Sequence, residues 1–412
     1  MSHDAIDLPR PKVLQEALHR ITERLAGELA RPTQTAPDWS DIEWQLAQAV
    51  AAMHGVSALL AVTLKWDGPP DWRRFLETQR SHVAARHRRI EDLLSQLDER
   101  AREQAVPFVG LKGVALHALC LYQPGERPMA DVDLLVSPVS SDRAVQILES
   151  LGFSESFACL RHKVFVPSVQ TVHASLGEHA QNYLKIELHE RVAEVLPFRT
   201  TDVTASVYPP HAHPGLNPYP SNAALMIHLL IHAANSMAYR ALRLLHLHDI
   251  ALLSTRMSSA DWAELLRHGQ SSGGPWWALP PLQLTTRYYG SVVPKAVLGA
   301  LHDHCHWSLR RIVRDQSLSD VSLSYLWIEA FPGIGWSRSF GEMLEYVASR
   351  IRPSEEALSV RRILKETQVA VADSRWGSLS QWQRMLRWVT SRQPRVDTIH
   401  AVRNALRPDA AA

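Results

Sequence analysis

The sequence predicts an α+β protein, with a small mixed-sheet core flanked by mainly α-helical N- and C-terminal regions. Three observations carry this. Apolar residues recur at three-to-four spacing before about residue 105 and again after about residue 220, the mark of amphipathic helices. Between them, short alternating runs interleave with helical ones, the texture of strands mixed with helices. Length and composition agree. A chain of 412 residues, 46% hydrophobic and 21% charged, can bury a sizeable core and is neither disordered nor fibrous. The expected division is a helical region over 1–105, an α/β core over 106–215 and a helical domain over 216–412.

In the first region Leu14, Leu18, Ile21 and Leu25 define one helix face. A second helix is expected from Asp41, behind the Pro37-Asp38-Trp39-Ser40 cap signal, as far as Leu64. Pro69-Pro70 closes it, and a third long helix is expected over 72–104. That helix mixes eight Arg with six acidic residues, so it reads as a solvated face rather than a nucleic-acid surface. The texture changes at Pro107. Residues 108–112 read as a short strand breaking at glycine, and 113–121 return to helical spacing. A polar turn over 123–128 leads into an alternating strand over 131–136. A helix over 140–151 is closed by Gly152, and strand candidates follow at 154–158, 163–172 and 185–192. From Pro220 the helical pattern resumes, broken at 271–275, at Pro280-Pro281 and at 331–335.

Lys+Arg 44 against Asp+Glu 42 leaves +2, which gives no global drive toward nucleic acid or an anionic membrane. The one local basic concentration is 381–407, with six Arg against one Asp, interleaved with Trp382 and Trp388. It reads as a solvated terminal helix ahead of a phosphate-tracking surface. Cys120, Cys159 and Cys305 are odd in number and far apart, against a disulfide framework or four-cysteine zinc site and in keeping with a reducing compartment. The opening residues have no basic segment followed by an apolar one. The most apolar stretch, 223–234, is short and carries His228 and His232, so no membrane span is expected. A soluble cytoplasmic protein is the expectation.

The most informative pair is Asp131 and Asp133. Residues two apart in a strand share a side, so both carboxylates would lie opposite Val132 and Leu134. Carboxylates a few ångströms apart repel unless a cation neutralises them, and hard divalent ions such as Mg²⁺ take oxygen ligands of this kind. Upstream, Gly110-Leu-Lys-Gly113 is a strand ending in glycines just before a helix, a turn suited to presenting backbone N–H groups to an anion. It is not the Walker pattern, since only two residues separate the glycines and no Ser or Thr follows a terminal Lys. Downstream, Lys185-Ile-Glu-Leu-His189 alternates, with Glu187 and His189 on one face. A third carboxylate from a neighbouring strand is what a two-metal phosphoryl-transfer site requires.

The remaining histidines read as structural. His228 and His232 have a metal-binding spacing, but no carboxylate or cysteine lies a further turn away. His302, His304 and His306 do not share a helix face.

The order strand–Gly-x-Lys-Gly–helix, then Arg127-Pro-Met-Ala-Asp-Val-Asp-Leu-Leu-Val136, then Ile186-Glu-Leu-His189 resembles the bacterial nucleotidyltransferases of the DNA polymerase β superfamily. The branch is the one known simply as nucleotidyltransferase family proteins, and the resemblance covers about residues 105 to 255. It implies a nucleotidyltransferase core in which Asp131, Asp133 and Glu187 hold two Mg²⁺ ions, or Mn²⁺. Gly110 and Gly113 would form the turn that cradles the phosphates of an NTP. Lys112 and Arg127 would stabilise charge developing on those phosphates, while Arg127 could equally tie its turn to a nearby carboxylate. Asp249 would face the site or pack beneath it. Two features depart from the family's pattern: Glu187 stands where Asp is commoner, and the gap from Gly113 to Asp131 is long.

The function implied is Mg²⁺-dependent transfer of an NMP from an NTP to an acceptor, with a small molecule or peptide in a biosynthetic pathway as the leading class. A toxin-like transferase acting on tRNA and a non-catalytic nucleotide-binding scaffold are the alternatives. The scaffold is disfavoured because clustered carboxylates without metal serve it no purpose. His189, beside Glu187, would be the base if a side chain supplies one.

Overall fold

The computed structural model describes residues 8–158, 162–170, 172, 176–197, 199–270, 273–355, 358 and 379–407. The opening segment, Cys159 and the serines at 271 and 272 lie outside these residues.

Helix α1 (Pro11–Ala30) buries Leu14, Leu18, Ile21 and Leu25 as the periodicity requires. Helix α2 (Asp41–Met53) opens on a capping box in which Ser40 Oγ accepts from Glu43 N–H and Glu43 accepts from Ser40 N–H. The single helix expected over 41–64 is instead two. Gly55 takes φ +67°, a left-handed exit that ends a helix, and α3 (Ser57–Thr63) leaves at 111° to α2. His54, at the break, accepts from Leu244 N–H at 2.9 Å and meets Ser324 Oγ at 3.1 Å, which fixes the bend against distant segments.

Helix α4 (Pro70–Glu103) joins the helical region to the sheet. Trp72, Phe75 and Leu76 pack into the large core, whereas Ile90, Leu93 and Leu97 lie on the sheet.

The sheet has strands β1 (Pro107–Gly110), β2 (Asp131–Val136), β3 (Phe153–Ala158), β4 (His162–Pro167), β5 (Lys185–His189) and β8 (Gly215–Asn217). Their order is β3-β4-β5-β2-β1-β8, with β2/β5 and β1/β8 parallel and the other pairs antiparallel. The strands expected over 163–172 and 185–192 are shorter: β4 stops at Pro167, which has no N–H to donate, and β5 at His189. A separate hairpin of β6 (Ala193–Leu196) and β7 (Arg199–Asp202) follows, and β8 has only three residues. These three escape sequence reading because each is too short to show alternation.

One sheet face, carrying Phe108, Val132, Leu134, Ile186 and Leu188, packs on α4 and on α6 (Ser141–Ser150). The opposite face, with Val109 and Leu135, joins the core built with α7 (Thr204–Val207), α8 (Asn222–Ala238) and α9 (Leu244–Ser254). Strand alternation therefore sends Asp131, Asp133, Lys185, Glu187 and His189 to this second side.

In the C-terminal region, helix Val396–Ala405 returns to pack on α2. Thr398 is buried there, its hydroxyl donating to the Leu323 carbonyl at 2.6 Å. Within the Arg-rich stretch, Arg395 turns inward to the Arg240 carbonyl at 2.9 Å. Trp382 and Leu386 stand exposed on helix Gln381–Thr390. Among the described residues no single helix is long and apolar enough to cross a membrane.

Candidate active site

Parallel pairing of β2 with β5 sets Asp131 opposite Lys185, Asp133 opposite Glu187 and Leu135 opposite His189. On the far side of β5, His162 of β4 pairs with His189. The register thus gathers three carboxylates, Lys185 and two imidazoles on one face, and Lys112 reaches it from the turn after β1.

Their contacts divide the cluster in two. Lys112 Nζ reaches both oxygens of Asp133 at 3.3 and 3.2 Å, and His189 Nε2 meets Asp133 Oδ1 at 3.0 Å. Lys185 Nζ bridges Asp131 Oδ2 at 3.3 Å and Glu187 Oε1 at 2.5 Å. The second oxygen, Glu187 Oε2, lies 3.6 Å from His162 Nε2 and 3.8 Å from His189 Nε2. Glu187 thus links the lysine side of the site to the histidine side.

Charge is held firmly here. Burial pushes the Asp133 carboxyl up, but the Lys112 ammonium and the His189 hydrogen bond outweigh it and keep the group well below the usual carboxylate range. For Lys112, burial acts to strip its proton, and Asp133 with its neighbours more than restores it, so its pKa is raised. Lys185 is raised in the same way against burial, by Asp131 and Glu187. Burial pushes the His162 imidazole down to about 4 despite the pull of Glu187, leaving the ring neutral at pH 7.

Lys112 sits at φ 44°, ψ −106°, near the first central position of a II′ turn, where glycine is the favoured residue. A lysine there carries strain of roughly 1–3 kcal/mol, and its ammonium gains the buried Asp133. The glycines on either side serve packing. A Cβ at Gly113 would fall 2.5 Å from Arg127 Nη1 and 2.8 Å from Met129 Sδ, and one at Gly110 would fall 2.4 Å from Val114 Cγ1. The turn's amides largely have protein acceptors: Leu111 N–H donates to Asp133 O, Lys112 N–H to Tyr219 Oη and Val114 N–H to Leu111 O. The ammonium of Lys112, rather than an open row of amides, is what the turn presents.

Arg127 points elsewhere. It forms a two-pronged pair with Asp249 of α9, Nε to Oδ1 at 2.9 Å and Nη2 to Oδ2 at 2.8 Å. Tyr122 Oη adds a third bond to Asp249 at 2.6 Å. Both partners are buried, so this pair ties the 122–128 turn to α9 beneath the carboxylate face. His228 is bonded to Tyr219 Oη at 2.7 Å and His232 to Glu194 at 3.0 Å, so the two do not converge on one point. His306 caps the helix Trp307–Asp315, apart from His302 and His304 on the preceding helix Lys295–His304.

Sequence reasoning missed His162, Lys185 and Tyr219. His162 pairs with His189 across β4 and β5, a signal available once the strand pairing is known, whereas Lys185 shares β5 and its face with Glu187, a signal already in the sequence. A cleft of about 940 Å³ lies beside the β1–α5 turn (α5, Gly113–Ala118) and is lined by His87, His117, Tyr122, Gly110 and Tyr219, among others. None of the three carboxylates borders it.

A family model described as an uncharacterised nucleotidyltransferase matches residues 40–289, more than half of the 412 residues. Comparison with curated proteins and with solved structures returns no match. The matched span runs from α2 through the whole sheet to the helix Leu279–Tyr289, and so contains every residue of the carboxylate face. The chain belongs to this nucleotidyltransferase family.

Proposed function

We propose that the chain moves a nucleoside monophosphate from an NTP to a nucleophile, a hydroxyl of a small molecule or peptide, at the face carrying Asp131, Asp133 and Glu187. The observation behind this reading is the β2–β5 register, which lines up three carboxylates that already share cationic neighbours. Their all-oxygen donor set suits hard divalent ions, with Mg²⁺ foremost and Mn²⁺ as a substitute. When bound, two such ions would activate the attacking hydroxyl and offset charge on the departing pyrophosphate.

The chain's own residues supply position. Lys112 leaves Asp133 for a phosphate oxygen once the carboxylate's charge is taken up otherwise, so a fixed ammonium meets the charge that develops on transfer. Gly110 and Gly113 keep the turn tight enough for that reach, and Arg127 packs against Gly113 while tying the 122–128 turn to α9. No separate side-chain base is required.

The test uses NTPs labelled at either the α- or the γ-phosphorus, incubated with protein, Mg²⁺ and cell extract. Label should pass to an acceptor from the α position only, and Asp133→Asn should abolish it. Transfer from the γ position, or equal labelling by the variant, would reject the reading. One observation favours a scaffold instead: Lys112 and Lys185 already neutralise the carboxylates, so the face holds together without metal. NTP binding with no label passing to anything in the extract would favour that second reading.

A further inference from the structure

We infer that His162, Glu187 and His189, with Asp133 beside them, form a mixed nitrogen–oxygen site that binds a borderline transition ion, Zn²⁺ or Co²⁺ in class, ahead of Mg²⁺. It deepens the proposed transfer site, because Glu187 belongs to both, and it rests on that reading for the ion's use but not for its geometry.

The donor set is the first argument. Imidazole nitrogens suit Zn²⁺, Co²⁺ and their neighbours, whereas Mg²⁺ prefers oxygen alone and keeps several waters. Two imidazoles with a carboxylate form the ligand set of open zinc sites, which leave a further position for substrate or water.

Spacing is the second. Ligand atoms each about 2.1 Å from a tetrahedral ion lie roughly 3.4 Å from one another. Glu187 Oε2 stands 3.6 Å from His162 Nε2 and 3.8 Å from His189 Nε2, and all three donor atoms lie within 4.8 Å of one another. Shifts of well under a rotamer change would close them on an ion. Asp133 Oδ1, hydrogen-bonded to His189 Nε2 at 3.0 Å, borders this three-residue core from β2.

The backbone is the third. All four residues rise from three adjacent paired strands, with His162 opposite His189 and Asp133 opposite Glu187. Such a platform holds ligands more tightly than loops do. Lys185 does not block the site, because its ammonium engages the other oxygen of Glu187, Oε1, on the Asp131 side. Lys112 makes its direct contact with Asp133 and not with the three-residue core.

The experiment titrates metal-free protein with Co²⁺ in the absence of nucleotide and follows the visible d–d absorption. Wild type and Asp131→Asn should both give the strong bands of low-coordinate, nitrogen-ligated Co²⁺, displaced by Zn²⁺ and not by millimolar Mg²⁺. His162→Gln and His189→Gln should each weaken Co²⁺ binding by more than the roughly 10–100-fold that loss of an outer-shell partner costs. His162→Cys gives a positive signal, since a thiolate ligand should add a sulfur-to-Co²⁺ charge-transfer band, and circular dichroism checks that each variant is folded. Only the weak bands of hydrated Co²⁺ in wild type would overturn the inference, as would unchanged affinity in folded His variants. If nitrogen ligation fails while Mg²⁺-dependent NTP binding persists, the inference falls and the transfer reading stands. If Co²⁺ binds as described but no α-label is transferred, the inference stands and the transfer reading falls.

Discussion

Arg127 offers a sharp test, because its two possible duties lead to opposite results. Its side chain is 9% exposed and that of Asp249 2%, so both charges are out of water. Removing one partner from such a pair leaves the other unpaired, at about 3–5 kcal/mol. Arg127→Met and Asp249→Leu should each therefore destabilise by that amount. Replacing both at once restores neutrality, and apolar substitutes for buried ion pairs are often neutral or better. One debt persists in the double variant: the Tyr122 hydroxyl loses the acceptor it now holds at 2.6 Å. A buried donor without a partner costs about 1–3 kcal/mol, so the double variant should stay below wild type by that much. Adding Tyr122→Phe should recover it.

The assay is urea unfolding at pH 7 across the four variants, with the midpoint and slope fitted together and NTP affinity measured alongside. Strong coupling between Arg127 and Asp249, with NTP affinity kept in the folded double variant, is the expected outcome. If Arg127→Met loses less than about 1 kcal/mol, within the range of a surface ion pair, and also loses NTP binding, the reasoning is refuted. Arg127 would then touch the nucleotide.

Three further outcomes follow from the same contacts. Gly113→Ala should destabilise by about 1–3 kcal/mol through overpacking, because Arg127 is pinned and cannot retreat from the new methyl; a thermal scan showing no loss would contradict this. Acid should weaken the fold early. Burial pushes His54 down to about 3 and His117 and His248 to about 4, from an ordinary 6.5, so the unfolded chain binds protons first as pH falls. Stability is complete above about 6.5 and declines by about 1.4 kcal/mol per pH unit per group toward pH 4; a urea midpoint that is flat between pH 7 and 5 would sink the argument. Lys112→Met removes the ammonium that holds Asp133 ionised, so the carboxyl's titration, followed by ¹³C NMR, should move upward; an unmoved titration would show that His189 alone suffices.

The carboxylate face was legible because its logic is local. Asp131 and Asp133 differ by two positions, as do Glu187 and His189, and strand geometry alone puts each pair on one side. What joins the pairs is not local. The parallel register between β2 and β5 and the placement of His162 on β4 depend on strand pairing, which no single segment encodes. Lys185 shares a strand face with its partner Glu187, whereas its second partner, Asp131, comes only from the β2–β5 pairing. Sequence alone gives Arg127 two possible duties, since its partner Asp249 is distant in the chain and reaches it through the packing of α9. The break at His54 lies inside continuous apolar spacing through 41–64; Gly55 ends the helix, and contacts with Leu244 and Ser324 fix the bend. The glycines of the β1–α5 turn suggest open amides in the sequence, but in the fold their absent side chains make room for Val114, Arg127 and Met129.

The most direct measurement is a crystal structure with Mn²⁺ and an NTP analogue that resists attack at the α-phosphorus, with manganese located by anomalous scattering. Manganese should lie about 2.1 Å from carboxylate oxygens of Asp131 and Asp133, in the range of hard-ion ligation. The α-phosphate should be within reach of the same ions, with Lys112 turned onto a phosphate oxygen. Nucleotide seated in the 940 Å³ cleft beside His87 and His117, with no manganese at the carboxylates, would contradict the account.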